Sequence, residues 1–202
     1  MARVHDETST ALLDAAHRLL AADGPEALTV RRIATEAGMS TMNVYSRFGG
    51  KDGVLDEIYR VGFERLFAAI TAVPEDDDGF ADLMEIATSY RGFALEHPEY
   101  YAIMFGDFSP SPETVSFALD GLAGLVGRVE RDLTKADLRP AVDVDPTTTT
   151  AWLWATCHGL VSLEVGAIGT EVLDWQQVFD AGVRTSLAGL RRRSDLDATS
   201  SA

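Results

Sequence analysis

Residues 29–51 carry an amide, a phenol, hydroxyls and cations at spacings that suit a nucleic-acid duplex. The run is Thr29-Val-Arg-Arg-Ile-Ala-Thr-Glu-Ala-Gly-Met-Ser-Thr-Met-Asn-Val-Tyr-Ser-Arg-Phe-Gly-Gly-Lys51. At about 100° per residue, a helix over Thr41–Phe48 puts Met42, Asn43 and Ser46 on one free face, with Arg47 beside them and Tyr45 on the flank. An Asn amide can pair bidentately with adenine, whereas Met42 can only touch a thymine methyl or a sugar. The Tyr45 hydroxyl can reach a phosphate. Lys51 opens a further helix, where its cation and the free backbone amides can share another.

That chemistry needs a rigid mount, and the same stretch supplies one. Thr29 is a good N-cap for a helix over Val30 to Ala37, in which Ile33, Ala34 and Ala37 share one side. Gly38 ends it, because glycine reaches the left-handed conformation without a Cβ clash. Met39 anchors the turn and Ser40 caps the next helix, whose Val44 and Phe48 face inward with Ile33 and Ala34. Gly49-Gly50 breaks that helix. A preceding helix, Thr8 to Asp23, carries Leu12, Leu13, Ala16, Leu19 and Leu20 on one stripe and ends at Gly24-Pro25. Two short helices joined by a tight turn, with the second displayed, make a helix-turn-helix.

The run Ile33-Ala34…Ala37-Gly38-Met39-Ser40…Tyr45…Phe48…Lys51 resembles the DNA-binding head of the TetR family of bacterial transcriptional regulators. The resemblance implies base or groove contacts from Arg31, Thr41, Met42 and Asn43, and phosphate contacts from Thr29, Tyr45 and Lys51. Ser40, at the start of the displayed helix, belongs to the same DNA-binding set. Met42 and Asn43 depart from the small residues and Thr or Ser usual in the family, which leaves the operator sequence open. Similar helix pairs also serve as packing corners in all-α proteins; the flanking helix, the glycines and the Tyr/Lys pair favour DNA.

The chain has 202 residues and a net charge of −15, an unusual balance for a nucleic-acid binder. The excess is uneven, however. The first 60 residues hold seven Lys/Arg against nine Asp/Glu, so nearly all of it lies beyond them. A near-neutral head on an acidic body suppresses non-specific phosphate binding and leaves affinity to a few placed cations and to pairing of heads. The single cysteine, Cys157, excludes an intrachain disulfide and a multi-cysteine zinc site. The acidic, polar N-terminus does not read as a signal peptide. The apolar run Ala151 to Ile168 contains His158 and Glu164; a mid-span carboxylate costs ~2.5–3.5 kcal/mol, so it reads as a buried helix and not a membrane span. A cytoplasmic location follows.

Helical periods fill the remainder, and no strand signal is present. Lys51 to about Val73 forms a long helix, and Pro74 to Gly79 a solvated acidic turn without the alternation of a calcium loop. A helix from Phe80 stops before His97-Pro98. Others run from Pro98 to Phe105, from Pro112 (capped by Ser111) to Leu138, from Pro146 to about Ile168, and from Trp175 to Arg193. The expected organisation is all-α: a head over residues 1–50, a helical ligand-binding and dimerisation body over 51–193, and a disordered tail over 194–202.

Two features of the body suggest partners. The helix from Pro146 is apolar on several faces, and the last helix sets small residues at three-and-four spacing, so two of each could form a four-helix bundle between copies. Trp152, Leu160, Trp175, Phe179, Gly182, Val183 and Ser186 are the candidates for that homodimer seam. Phe63, Phe67, Met84, Phe93, Tyr101, Met104, Phe105 and Phe117, with Tyr90, form an aromatic and methionine set that could line a cavity for a small effector. The body also resembles a C-terminal type named for a Trp-His-Gly signature, through His97-Pro98-Glu-Tyr-Tyr101…Met104-Phe105-Gly106 and Trp154…His158-Gly159-Leu-Val-Ser-Leu-Glu164. With the head, the resemblance spans about residues 8 to 192.

Cys157 and His158 invite a metal or catalytic reading. Adjacent helical side chains point about 100° apart and cannot chelate one ion, and the only base available to the thiol would be His97. His158 reads instead as a hydrogen-bonded core residue near the seam. No cofactor, metal or enzymatic activity is implied. The expected protein is a homodimeric, ligand-responsive regulator, a repressor that an unknown small molecule releases from a palindromic double-stranded operator. The alternative is an all-α small-molecule-binding or protein-interaction domain that ignores DNA. That alternative explains the acidic body but not Asn43, Tyr45 and Lys51 displayed together.

Overall fold

The computed structural model describes residues 6–140 and 144–192; the expected tail at 194–202 lies outside them. Nine α-helices carry the fold among the described residues: α1 (Glu7–Asp23), α2 (Val30–Glu36), α3 (Thr41–Phe48), α4 (Lys51–Thr71), α5 (Gly79–Glu96), α6 (Pro98–Phe105), α7 (Pro112–Lys135), α8 (Pro146–Val165) and α9 (Trp175–Ala188). At two starts, those of α7 and α8, proline and a side-chain cap coincide. Asp145 accepts from the Thr148 amide ahead of Pro146, and Ser111 from that of Thr114 ahead of Pro112.

The last three helices end earlier than their periodicity suggests. α7 stops at Lys135, α8 at Val165 before Gly166, and α9 at Ala188 before Gly189. Beyond α7 and α9 the chain forms a two-residue antiparallel pair, β1 (Leu138–Arg139) with β2 (Arg191–Arg192). This corrects the expectation of no strand. Two residues are too few to leave an alternating pattern.

The chain divides into two compact units, residues up to 64 with 97–118, and 65–96 with the residues from 119 onward. α4 and α7 each contribute to both. In the first unit, α1 buries Leu12, Ala15, Ala16, Leu19 and Leu20 and packs on α2, α3 and α6. α4 is tied to the first turn of α7 by Asp56, which accepts from the Ser111 amide at 2.7 Å and the Thr114 hydroxyl at 2.8 Å. The next residue, Glu57, forms a buried pair with Arg60 at 2.6 Å. A buried ion pair adds little net stability, but losing one partner strands the other charge.

In the second unit α5, α8 and α9 pack on one another. The Arg91 guanidinium grips Glu164 with two bonds of 2.7 and 2.6 Å, joining α5 to α8. At the far end Arg128 holds Asp132 at 2.7 Å and donates to the carbonyls of Val73 and Pro74. The acidic turn is therefore fastened as well as solvated. Its carbonyls bind α7 cations, while Asp78 caps α5 by accepting from the Phe80 and Ala81 amides.

Asp82 sits in this cluster with 2% of its surface exposed. Burial alone would push its carboxyl up, but bonds from Lys135 and the Asp76 amide, with the Arg128 charge, hold it below the usual range. A depressed carboxylate adds stability above its unfolded value, about 3.9, and that stability is lost as pH falls through the folded one. Thermal unfolding between pH 6 and 2.5 should therefore show a steep acid limb. Asp82→Asn should be less stable at neutral pH and show a shallower limb, so curves that stayed parallel would contradict this account.

Candidate nucleic-acid interface

The mount for α3 is built as its residues require. The Thr29 hydroxyl accepts from the Arg32 amide at 3.2 Å and starts α2. Gly38 follows with φ +67°. The Met39 amide reaches back to the Ala34 carbonyl at 2.8 Å and the Gly38 amide to that of Thr35 at 3.1 Å, the paired closure of a Schellman turn. Ile33, Ala34 and Val44 are fully buried between the helices. Ser40 is the N-cap residue of α3 by backbone angle, but its hydroxyl makes no capping bond. That part of the expectation is corrected, and the hydroxyl stays exposed on the free side.

The polar side chains of the head are sorted by charge pairing. Arg18, Arg32 and Arg47 are tied to Glu36, Asp23 and Asp6, so these cations brace the head. By contrast, the side chains of Arg31, Thr41, Asn43, Tyr45 and Lys51 make no hydrogen bond or ion pair with any other described residue. Met42 is 70% and Tyr45 54% exposed. Thr29, Arg31, Ser40 and Thr41 are exposed, while Asn43 and Lys51 are half-buried. Uncommitted donors and acceptors on one protruding helix and its flanks are what groove reading requires.

Gly53, on the first turn of α4, was not singled out from the sequence. A Cβ there would lie 1.7 Å from the Phe48 carbonyl oxygen, so only glycine lets α4 start against the end of α3. The sequence signal was faint: a glycine two residues after Lys51, in a helix.

The N-terminal residues 12–58 match the family model described as bacterial regulatory proteins, tetR family, and residues 83–186 match the tetracyclin repressor-like C-terminal domain. The chain belongs to the TetR family. It is a DNA-binding transcriptional regulator; the family and its relatives are regulators and not enzymes. The HTH-type transcriptional regulator Rv1816 of Mycobacterium tuberculosis is 24% identical over 92% of this chain and 93% of its own length. A protein of unknown function from Rhodococcus sp. RHA1 shares the fold with a TM-score of 0.79 at 28% identity, over 92% and 96% of the two chains. The SmeT–triclosan complex shares it at 0.67 and 22%, over 93% of each.

The rest of this TetR-family chain holds an apolar cavity within the second unit. Successive turns line it: Leu83, Ile86, Ala87 and Tyr90 of α5, Thr150, Leu153, Trp154 and Cys157 of α8, Val183 and Leu187 of α9, with Ile70 from the end of α4. Of the residues expected to line a pocket, Tyr90 does so. Phe63, Tyr101, Met104, Phe105 and Phe117 lie in the first unit, where Phe63, Tyr101 and Phe105 form a ring cluster. Phe67 instead borders the opening beside Pro74 and Arg128, and Met84 and Phe93 are core residues of α5. In sequence, a residue facing a void and one facing a neighbour look alike.

The seven seam candidates are similarly divided. Trp175, Phe179 and Val183 are buried inside the chain itself, Leu160 covers Gly182, and Ser186 is in the cavity wall. Trp152 is 42% exposed, as is Leu163 at 43%. His158 bonds Tyr90 through Nδ1 at 3.1 Å and Ser162 through Nε2 at 3.3 Å, and burial lowers its pKa. Burial pushes the Cys157 thiol up to about 12, which removes the thiolate a nucleophile needs. No helix among the described residues is long and apolar enough to cross a membrane.

Proposed function

We propose that this regulator is a cytoplasmic repressor that binds a palindromic operator as a homodimer and leaves it when a small molecule binds. In this reading residues 1–50 are the DNA-binding domain, 51–193 the ligand-binding and dimerisation domain, and the body is of the Trp-His-Gly type. The observation that carries it is the uncommitted polar set on α3 and its flanks, beside three other arginines already paired. A net charge of −15 disfavours binding by a lone head, so affinity should come from two heads on one duplex.

Trp152 and Leu163, with Ala155 and Gly159 between them, form an exposed stripe along α8. A second copy would bury it across a twofold axis. Trp152→Glu should lower the oligomeric state in sedimentation and weaken operator binding with it. A variant that stays dimeric would remove α8 from the seam.

Effector release needs a ligand that prefers the state unable to fit the operator. The cavity of the second unit is the candidate, because Ile70 in its wall belongs to α4, the helix that Lys51 opens. SmeT, a relative by fold alone, binds triclosan. The direct test is gel-shift titration of the purified chain on DNA upstream of its own gene, against unrelated DNA at equal salt. Equal affinity for both would end the regulator-at-an-operator reading.

A further inference from the structure

The wall of the second-unit cavity is more restrictive than its size alone suggests. None of its lining residues is charged. The nearby interior charges are already neutralised: Arg91 by Glu164 and Arg128 by Asp132. The hydroxyls of Thr150 and Thr156 donate to the carbonyls of Pro146 and Trp152, and that of Tyr90 is paired with His158. Only the Ser186 hydroxyl, among the wall hydroxyls, makes no bond to another described residue.

Building on its reading as the effector site, we propose that this cavity admits an uncharged, largely hydrocarbon compound with at most one hydrogen-bonding group, and refuses carboxylates and phosphates. An anion entering here would lose its hydration with nothing to replace it. An ammonium would fare no better. A neutral ring loses only water contacts that it makes poorly.

The void is about 60 Å³, whereas an apolar cavity that holds benzene is about 150 Å³. Occupancy must therefore displace wall side chains, and Ile70, in that wall, belongs to α4, so the bound and empty states differ. That difference gives a ligand something to select.

Cys157, the only thiol in the chain, lies in the wall; buried it carries no thiolate, so alkylation proceeds only when the wall opens to water, and an occupant that holds the wall closed slows it. The full-length protein is titrated with 1-chloronaphthalene and with its anionic counterpart 1-naphthoate. Melting temperature, alkylation of Cys157 by N-ethylmaleimide and operator binding are followed. The neutral compound should raise the melting temperature, slow alkylation at least tenfold and release the operator. 1-Naphthoate at the same concentration should do none of these. Ala87→Leu, which fills the void, should abolish the neutral compound's effects; if it fails to fold, protection of Cys157 in the unmodified chain decides.

Equal protection by 1-naphthoate would overturn the ligand class while leaving the effector site standing. A melting shift without Cys157 protection would move the site elsewhere and overturn the assignment. If neither compound stabilises a chain that still binds its operator, the proposed class is wrong. If, in addition, no member of a broad panel of small molecules releases that operator, the effector reading falls too.

Discussion

Gly53→Ala should cost the head its fold while leaving the rest of the chain helical. The Cβ would enter to 1.7 Å of the Phe48 carbonyl oxygen and 2.8 Å of its carbon. Both are backbone atoms at the end of α3, so no side chain can swing aside to relieve the overlap. Either α4 moves away from α3 or the last turn of α3 unwinds. Each disrupts the spacing of Tyr45 and Lys51. A loss of ~3 kcal/mol or more is expected, in the class of severe backbone and overpacking effects. The measurement is a thermal melt with a gel shift on the same sample: an early transition or a lowered midpoint, and no operator complex. Gly92→Ala is the matched control, because Gly92 lies in α5 with nothing within 4 Å of its Cβ. There alanine should stabilise by about 0.5–1 kcal/mol through helix propensity. A Gly53→Ala chain as stable as the parent would show that the α3–α4 junction has slack.

Particular residues explain what was legible in the sequence. The head was readable because its signals are local. Thr29 caps within three residues, Gly38 must take a positive φ, and Ile33, Ala34 and Val44 obey one helical period. Helix starts were readable wherever proline follows a capping residue, as at Ser111-Pro112 and Asp145-Pro146. Helix ends were harder, because α9 has no such stop beyond Gly189, and Arg191–Arg192 leave the helix to pair with a strand more than 50 positions earlier.

The pairings that fix the second unit are long-range and left no trace in periodicity: Arg91 with Glu164, Tyr90 with His158, Arg128 with the carbonyls of Val73 and Pro74. The cavity was hidden for a related reason. Leu83, Ile86, Ala87 and Tyr90 form one ordinary apolar stripe, and only the packing of α8 and α9 decides that it borders a void. The same ambiguity affects α9, whose Trp175, Phe179 and Val183 could serve a partner or the chain's own core. The small Gly182 that suggested close helix approach does permit one, with Leu160 of α8.

Lys51→Ala and Asn43→Ala should weaken DNA binding in two distinguishable ways. Lys51 carries no ion pair within the described chain and stands at the amide end of α4, where cation and free N–H groups can share a phosphate. In the proposed dimer its loss should remove one charge-assisted contact per head, ~1.5 kcal/mol or more, so roughly tenfold per half-site and on the order of a hundredfold for two. The weakening should be the same on every sequence, and the slope of log K against log salt should fall by about 2, one counterion for each head. Asn43 is half-buried, its amide unbonded to any other described residue, and it is one of the few α3 groups able to read a base edge bidentately. Asn43→Ala should leave the salt slope unchanged and cost ~1–3 kcal/mol at its own base pair alone. Anisotropy titrations on the operator and on single-base variants, each at several salt concentrations, separate the two patterns. If Asn43→Ala changed affinity equally on all variants, α3 would have to enter the groove by another edge, with Thr41 and Met42 taking the reading role.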